Sequence, residues 1–381
     1  MNWIIPLADL NYDQNEENAV VSVLRSKWLT MGSVTAQFEQ DFAAMTGSPH
    51  CLSVSNATEA LHLACVALGI GPGDEVIVPS LTFVATANAV LYTGAKVVFA
   101  DVVSPNDLTI SPASIESCIT PHTKAIIVMH YAGYPCDMPA IMEIAQRHNL
   151  SVIEDAAHCP GATLDGKALG TWGEIGCFSF FSNKNLATGE GGMLTTNSDE
   201  IAAKLKLLRS HGMTTLTYDR HAGHAYSYDV VELGYNYRID EIRAALGIEQ
   251  LKKLPANNQR RREIVATYRE KMPAELGIPF AGHPGVSACH ISPVLLPEGS
   301  HRKAFQDYMK EHGIQTSIHY PPIHTFSYYR EHFPGPHHLP ITESIAPREV
   351  TLPLYPTMTD EQIDYLVKQV PLALKAAKNS S

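Results

Sequence analysis

The stretch "TKAIIVMHYAGYPCDMPAIMEIAQRHNLSVIEDAAH", residues 123–158, decides the fold. An apolar run, "TKAIIVMH" (123–130), is followed by a segment with helical spacing, "MPAIMEIAQRHN" (138–149), and by a second apolar run, "LSVIEDAAH" (150–158). Two strands joined through one helix run parallel, and the crossover is right-handed. The alternation extends upstream. "NATEALHLACVALG" (56–69) has helical spacing and stops at Gly69, "DEVIVP" (74–79) is a strand, "TFVATANAVLYTG" (82–94) a helix and "AKVVFADV" (95–102) a strand. The expected fold class is α/β, a mostly parallel sheet with helices on both faces. Ligand sites in such sheets lie beyond the carboxyl ends of the strands, so the residues just after each strand are the ones to inspect. After "LKKLPANNQRRRE" (251–263) the chain becomes richer in Pro and His, with shorter strands. A large domain over 1–250 and a smaller α+β domain over 251–381 are expected.

Composition narrows the function. Apolar residues make up 45% and charged residues 18% of 381, enough apolar material for a sizeable core. A net charge of -11 argues against nucleic acid or an anionic membrane as the main partner. The one tight basic run, Arg260 to Arg262, reads as a solvated helix face. The opening "MNWIIPLADLNYD" lacks a basic region followed by a long apolar core, and no apolar run approaches the ~20 residues of a membrane span. A cytoplasmic protein is expected. Its seven scattered cysteines contain no CxxC pair and read as reduced core thiols, and its 18 histidines show no HExxH spacing, so no metal is expected. The tail "KAAKNSS" (375–381) is expected to fray.

Three segments carry chemistry. Lys184 is the single charged residue between Glu174 and Glu190 and sits in "CFSFFSNKNLATGEGGMLTTN" (177–197). A lysine in a poorly solvated site loses its proton more easily and can form a Schiff base; the alternative is a surface loop lysine. In "SVIEDAAHCPG" (151–161) a strand ends on Glu154 and Asp155. A carboxylate buried there needs a cationic partner, for which a pyridinium nitrogen would serve, and a metal-binding Asp or a helix cap stays open. In "SVSNATEALHLA" (53–64), Asn56, Ala57 and Thr58 sit where a strand ends and a helix starts. That is either a phosphate cradle or an ordinary N-cap. A phosphate cradle, an acid and an amine together are the parts needed for pyridoxal 5'-phosphate (PLP).

The chain from "PLADL" (6–10) to "LPLYPTMTDEQ" (352–362) resembles the nucleotide-sugar aminotransferases of the DegT/StrS type, within the aspartate-aminotransferase (type I PLP) fold. The resemblance rests on "EDAAH" (154–158), "SFFSNKNLATGEGG" (179–192) and "GYNYRIDEIRAALG" (234–247), in that order. It implies that Lys184 forms the Schiff base with PLP and then acts as general acid/base. Asp155 pairs with the pyridine nitrogen, and His158, one helical turn on, lies near the phenolic oxygen. Ser179 binds the phosphate with the N–H groups of Ala57 and Thr58, and Phe83 stacks on the ring. Asn236 reaches the phosphate of the neighbouring subunit, which implies a homodimer, and Arg238 holds an anionic substrate group.

The implied reaction takes an amino group from L-glutamate, releases 2-oxoglutarate and aminates a keto sugar linked to UDP or dTDP. "VMHYAGYPCDM" (128–138) and "HGMTTLTYDRHAG" (211–223) resemble the branch that acts on C4 of 4-keto sugars. "KWLTMG" (27–32) and "SIHYPPIH" (317–324) match segments framing the sugar nucleotide, so Trp28, Thr30, Met31, His319, Tyr320 and His324 are expected substrate contacts. Family members that dehydrate C3 carry histidine in place of the lysine, which Lys184 argues against. A nicotinamide enzyme would need GxGxxG after the first strand, whereas "GIGPGD" (69–74) follows a helix and reads as a turn. A 3-keto-sugar or keto-cyclitol aminotransferase of the same family is the remaining alternative.

Overall fold

The computed structural model describes residues 3–215 and 227–379. The segment "TKAIIVMHYAGYPCDMPAIMEIAQRHNLSVIEDAAH" forms the expected unit. In chain order the first seven strands are β1 (His50–Val54), β2 (Glu75–Pro79), β3 (Lys96–Ala100), β4 (Val102–Ser104), β5 (Asp107–Ile110), β6 (Thr123–Met129) and β7 (Ser151–Asp155). They are followed by β8 (Thr163–Leu164), β9 (Lys167–Ala168), β10 (Ile175–Ser179), β11 (Gly192–Thr196), β12 (Ser292–Leu295) and β13 (Glu349–Leu352). Seven of them make one sheet in the order β1-β11-β10-β7-β6-β2-β3. β6 and β7 pair in parallel, Ala125 opposite Ser151 through Met129 opposite Asp155. β2–β3, β2–β6 and β7–β10 are parallel too, and only β11 runs antiparallel to its neighbours β1 and β10.

The helix between β6 and β7, Met138–His148, has local causes. The Asp137 side chain accepts the Ala140 N–H at its start, Pro139 occupies the first turn, and left-handed Asn149 ends it. "TFVATANAVLYTG" is helical only over Ala85–Leu91, which leaves Thr82 and Phe83 in the turn after β2. "GIGPGD" is a turn, closed by Asp74 accepting the Gly71 N–H.

The two acids that end β7 face opposite ways, because successive strand residues alternate sides. Glu154 is fully buried and accepts four hydrogen bonds, from the N–H groups of Gly170 (2.7 Å), Trp172 (2.6 Å) and Gly173 (2.8 Å) and from His130 Nε2 (2.9 Å). It fastens the 170–173 turn to the sheet. We expect Glu154→Ala to lower the unfolding free energy by roughly 3–5 kcal/mol, since three N–H groups and an imidazole would lose their acceptor inside the core. Urea unfolding checks it, and a loss below about 1 kcal/mol would contradict the assignment. Asp155 is left to face the site.

Apolar residues gather on both faces of the sheet and in a third cluster. The third joins Ile5, Tyr131 and Tyr134 to the C-terminal region, including Val294, Phe305, Val350, Leu366 and Leu374. Residue 250, where the composition changes, falls inside one 31-residue helix, Glu241–Lys271. The start of that helix packs Ala244 and Leu254 against the sheet-side core, and its end packs Ile264, Val265 and Tyr268 into the third cluster.

Three expectations are corrected. Arg261 is not on a solvated face: it is buried, and its Nη1 donates to the carbonyls of His290 (3.2 Å) and Leu354 (2.8 Å), because the helix is flanked on that side by the C-terminal region. The tail is not frayed from Lys375, since helix Asp360–Asn379 continues through it and buries Ala377 in the third cluster. His158 is not on a helix; it lies in the turns that follow β7 over residues 157–161. The cysteines are free thiols as expected, six of the seven buried. Among the described residues no helix is long and apolar enough to cross a membrane, and no cluster of three potential metal ligands occurs.

Candidate active site

A cavity of about 610 Å³ opens at the carboxyl ends of the central strands. Asn56, Ala57, Thr58, Phe83, Asp155, His158, Ser179, Lys184, His319 and Tyr320 all line it, so residues spread over 265 positions of sequence (56 to 320) converge there. Met129, Phe181, Asn183 and Glu190 complete much of the wall.

One end is built for an anion. Asn56 caps helix Ala57–Ala67 by accepting the Glu59 N–H (2.9 Å), which leaves the N–H groups of the cavity residues Ala57 and Thr58 uncapped. Ser179, the last residue of β10, closes this end. The glycines after Lys184 allow the approach. A Cβ on Gly192 would sit 2.7 Å from the Asn56 carbonyl carbon and 3.0 Å from the Ala57 nitrogen. The cap reading of Asn56 holds, and it leaves the cradle reading room, because different N–H groups would serve the two.

In the middle lies a carboxylate short of a partner. Asp155 is 5% exposed; Thr86 Oγ1 donates to it at 2.7 Å and the Ala157 N–H at 3.2 Å. Burial pushes its carboxyl pKa up, against the opposing pull of those two donors and of Lys184 and His130. Lys184 is in the turn that follows β10, fixed by its N–H donating to the Phe181 carbonyl at 2.8 Å. Part of its surface opens on the cavity, but protein encloses the amine, and burial pulls its pKa down to about 8, with Asp155 acting in the other direction. Such an amine is nucleophilic near neutral pH.

Histidines surround the amine. His158 Nδ1 accepts the Ala132 N–H at 3.2 Å, so its proton is on Nε2, 3.0 Å from Tyr320 Oη. Burial holds His158 well below the usual imidazole range, and His319 is pulled down to about 4 by the same cause, with Lys184 adding to both. Phe83 is 55% exposed at the cavity mouth, its ring 5.8 Å from that of Tyr320. An apolar ring so exposed has a face free for a planar ligand.

The other expected residues lie elsewhere. His324 is outside the cavity wall, with Nδ1 2.7 Å from Ser80 Oγ and its ring near Phe99 and His337. Trp28, Thr30, Met31, Asn236 and Arg238 are also outside it. Thr30 bridges Asp240, and the Glu241 N–H donates to the Leu29 carbonyl. Asn236 is exposed, and Arg238 keeps a buried Nη1 without a hydrogen-bond partner. Most of "HGMTTLTYDRHAG" (216–223) lies outside the described residues. Sequence reasoning passed over Thr86 and His290. Thr86 is one of several polar residues in an apolar helix, and His290 stands 106 positions from the lysine it meets.

Amine, buried acid and anion cradle on a type I fold fit PLP: among the described residues the acid accepts hydrogen bonds from neutral donors alone, the cradle N–H groups are uncapped, and the amine is poised to attack an aldehyde. These define a PLP-dependent aminotransferase. The model of the DegT/DnrJ/EryC1/StrS aminotransferase family matches residues 11–371, and the chain belongs to that family. Among relatives, the spore coat polysaccharide biosynthesis protein SpsC of Bacillus subtilis is 39% identical, over 99% of this chain and 98% of its own. Among solved structures, DesV of S. venezuelae, in complex with a ketimine intermediate, is 32% identical, with a TM-score of 0.89 over 98% of this chain and 99% of its own. PseC of Helicobacter pylori, an aminotransferase in pseudoaminic acid biosynthesis, is 28% identical, with a TM-score of 0.89 over 98% and 100%. The protein is a sugar aminotransferase of this family.

Proposed function

We propose that the enzyme moves an amino group from L-glutamate to C4 of a 4-keto sugar carried on UDP or dTDP. The observation that carries the reading is the amine of Lys184 in one cavity with the buried acid Asp155 and the cradle of Ala57, Thr58 and Ser179. Bound PLP supplies an aldehyde that condenses with amines and a ring that accepts electrons. The cradle N–H groups and Ser179 hold its phosphate, Asp155 holds the ring nitrogen's proton, and Phe83 covers one face. Lys184 Nζ takes the proton from the donor's Cα and returns it on the far side of the transfer. His158, uncharged and fixed by Ala132, offers its Nε2–H toward Tyr320 and the cavity without competing for that proton.

The preference for C4 rests on the resemblance of "VMHYAGYPCDM", and the structure gives that segment a physical part at the site. Ala132 holds His158, the Tyr131 hydroxyl donates to the carbonyl of His319, and a Cβ on Gly133 would meet the His158 carbonyl at 2.7 Å. The segment therefore sets the position of two cavity histidines. Trp28, Thr30, Met31, Asn236 and Arg238 are not part of the cavity wall, and the 230–233 segment shortly before Asn236 exposes Val230, Val231 and Leu233. We assign that group to the site of a second copy in a homodimer, where Asn236 reaches the phosphate and Arg238 an anionic substrate group.

The test is a panel of UDP- and dTDP-linked 4-keto sugars, 3-keto sugars and a keto-inositol, each with the amine-loaded enzyme, following amino-sugar formation by mass spectrometry. We expect turnover with 4-keto nucleotide sugars at least tenfold faster than with 3-keto ones. Activity on keto-inositol with none on a nucleotide sugar overturns the substrate class, and faster 3-keto turnover overturns the C4 assignment.

A further inference from the structure

His290 meets Lys184 from a part of the chain that carries none of the family motifs quoted above. Its Nε2 lies 3.3 Å from Lys184 Nζ, its ring is 4% exposed, and its centroid is 4.3 Å from that of His158. What this contact can do depends on which ring nitrogen carries the proton, and a chain of amides answers that. The carbonyl of Pro160 can only accept, so the Asn258 amide presents Nδ2 to it at 2.9 Å. Asn258 Oδ1 is then the acceptor for Asn185 Nδ2 at 2.7 Å, and Asn185 Nδ2 also donates to the carbonyl of Ala288 at 2.8 Å. Asn185 is left with Oδ1 toward His290 Nδ1, 3.0 Å away, so Nδ1 is the donor. His290 Nε2 is bare, and it faces the amine.

We propose that His290 is a positioning residue for Lys184: its unprotonated Nε2 accepts a hydrogen bond from Nζ, aims the amine into the cavity and steadies the proton the amine carries between transfers. The proposal rests on Lys184 being the reacting amine. Burial supports it by keeping His290 itself well below the usual imidazole range, with Lys184, His158, Arg261 and His319 all adding positive influence, so the ring accepts a hydrogen bond without taking the proton. The groups facing Lys184 are then Asp155 from β7, His158 from the turn after it, His319 from the 317–324 segment and His290. Of these, His290 is the one whose bare nitrogen is tied in place against Nζ. A neutral acceptor bonds an ammonium more strongly than an amine, so it favours the protonated lysine that exists after the Cα proton has been taken.

The experiment compares His290→Phe, which keeps a ring but no acceptor, with His290→Gln, which restores an acceptor. Two readouts are taken. One is the glutamate half-reaction of the holoenzyme, followed by stopped-flow absorbance. The other is the titration of the Lys184 amine in apoenzyme carrying a 13C-methyl label, its signal assigned by its absence in Lys184→Ala. We expect His290→Phe to slow the half-reaction roughly 10- to 100-fold, the size of a hydrogen bond to a charged group. Its glutamate KM should stay near wild type and its amine should titrate at lower pH, with His290→Gln recovering most of both. Should His290→Phe fail to fold, Asn185→Leu, which frees the ring's tautomer, is expected to shift both readouts in the same direction. An unchanged amine titration, or His290→Gln as impaired as His290→Phe, overturns the proposal. Glutamate-driven spectral change that survives in Lys184→Ala overturns the underlying role of Lys184 instead, whatever His290 does.

Discussion

Lys184→Ala is expected to give a folded protein that has lost transamination by on the order of 10⁴-fold or more. The fold has little reason to notice. Among the described residues Lys184 makes no ion pair, and its side chain's hydrogen bond is the one to His290. Removing a poorly solvated amine relieves burial of a charge, so stability should be unchanged or slightly raised. Chemistry has every reason to notice, because among the described residues no other lysine lines the cavity. With the amine titrating near 8, about one molecule in ten has it neutral at pH 7, against roughly one in three thousand for an ordinary lysine. Capture of added PLP by apoenzyme should therefore quicken as pH rises and level off above about 8. Wild-type protein with PLP should show a visible band that L-glutamate bleaches, and Lys184→Ala should show neither that band nor formation of 2-oxoglutarate. Turnover in the variant would sink the assignment.

Much of this was legible beforehand, for reasons that can be named. Interior parallel strands are apolar throughout, so "TKAIIVM" and "SVIED" stand out, and the helix between them announces itself by its spacing and its Asp137 and Asn149 ends. Rules about strand ends then point to Asp155, where β7 stops, and to Asn56, just past the end of β1, whereas Ser179 came from the family resemblance. Which of Glu154 and Asp155 faces the site could not be read in the same way. Strand parity separates the two acids, but only the neighbouring 170–173 turn tells which side is which. His319 and His324 looked alike in "SIHYPPIH", yet one enters the cavity and the other packs on Ser80. His324 is carried away by the 3-10 turn Ile323–Thr325 that follows the two prolines, and that is a tertiary effect. His290 had no local signal at all. Its partner Asn185 lies beside Lys184 in sequence, and only folding brings the two together.

Asp155→Asn is expected to keep both the fold and the cofactor's visible band while slowing the glutamate half-reaction by on the order of 10²–10³-fold. The substitution is nearly the same size: the amide oxygen can still accept from the Ala157 N–H, and Thr86 can turn its hydroxyl toward Thr82 Oγ1, 2.9 Å away, and accept from the amide nitrogen. What it lacks is charge. In the wild type, burial pushes the Asp155 carboxyl up, and its two neutral hydrogen-bond donors do not bring it back down. A protonated ring nitrogen beside it would do so. By linkage, the carboxylate in turn raises the pKa of that nitrogen, so acid and ring hold one another ionised. An amide cannot take part in this exchange; the ring nitrogen loses its proton and the ring draws electrons from the donor's Cα less strongly. The proton that Lys184 must remove becomes less acidic, and the rate falls although the amine is intact. Loss of Asp155's charge also removes an influence that holds Lys184 up, so the amine in the variant should titrate below about 8. That separates the two variants experimentally: Lys184→Ala abolishes the band, whereas Asp155→Asn keeps it and makes its bleaching slow. Wild-type bleaching in Asp155→Asn would mean that the acid serving the ring lies elsewhere, and Glu154, turned to the other face and occupied by four donors, could not replace it.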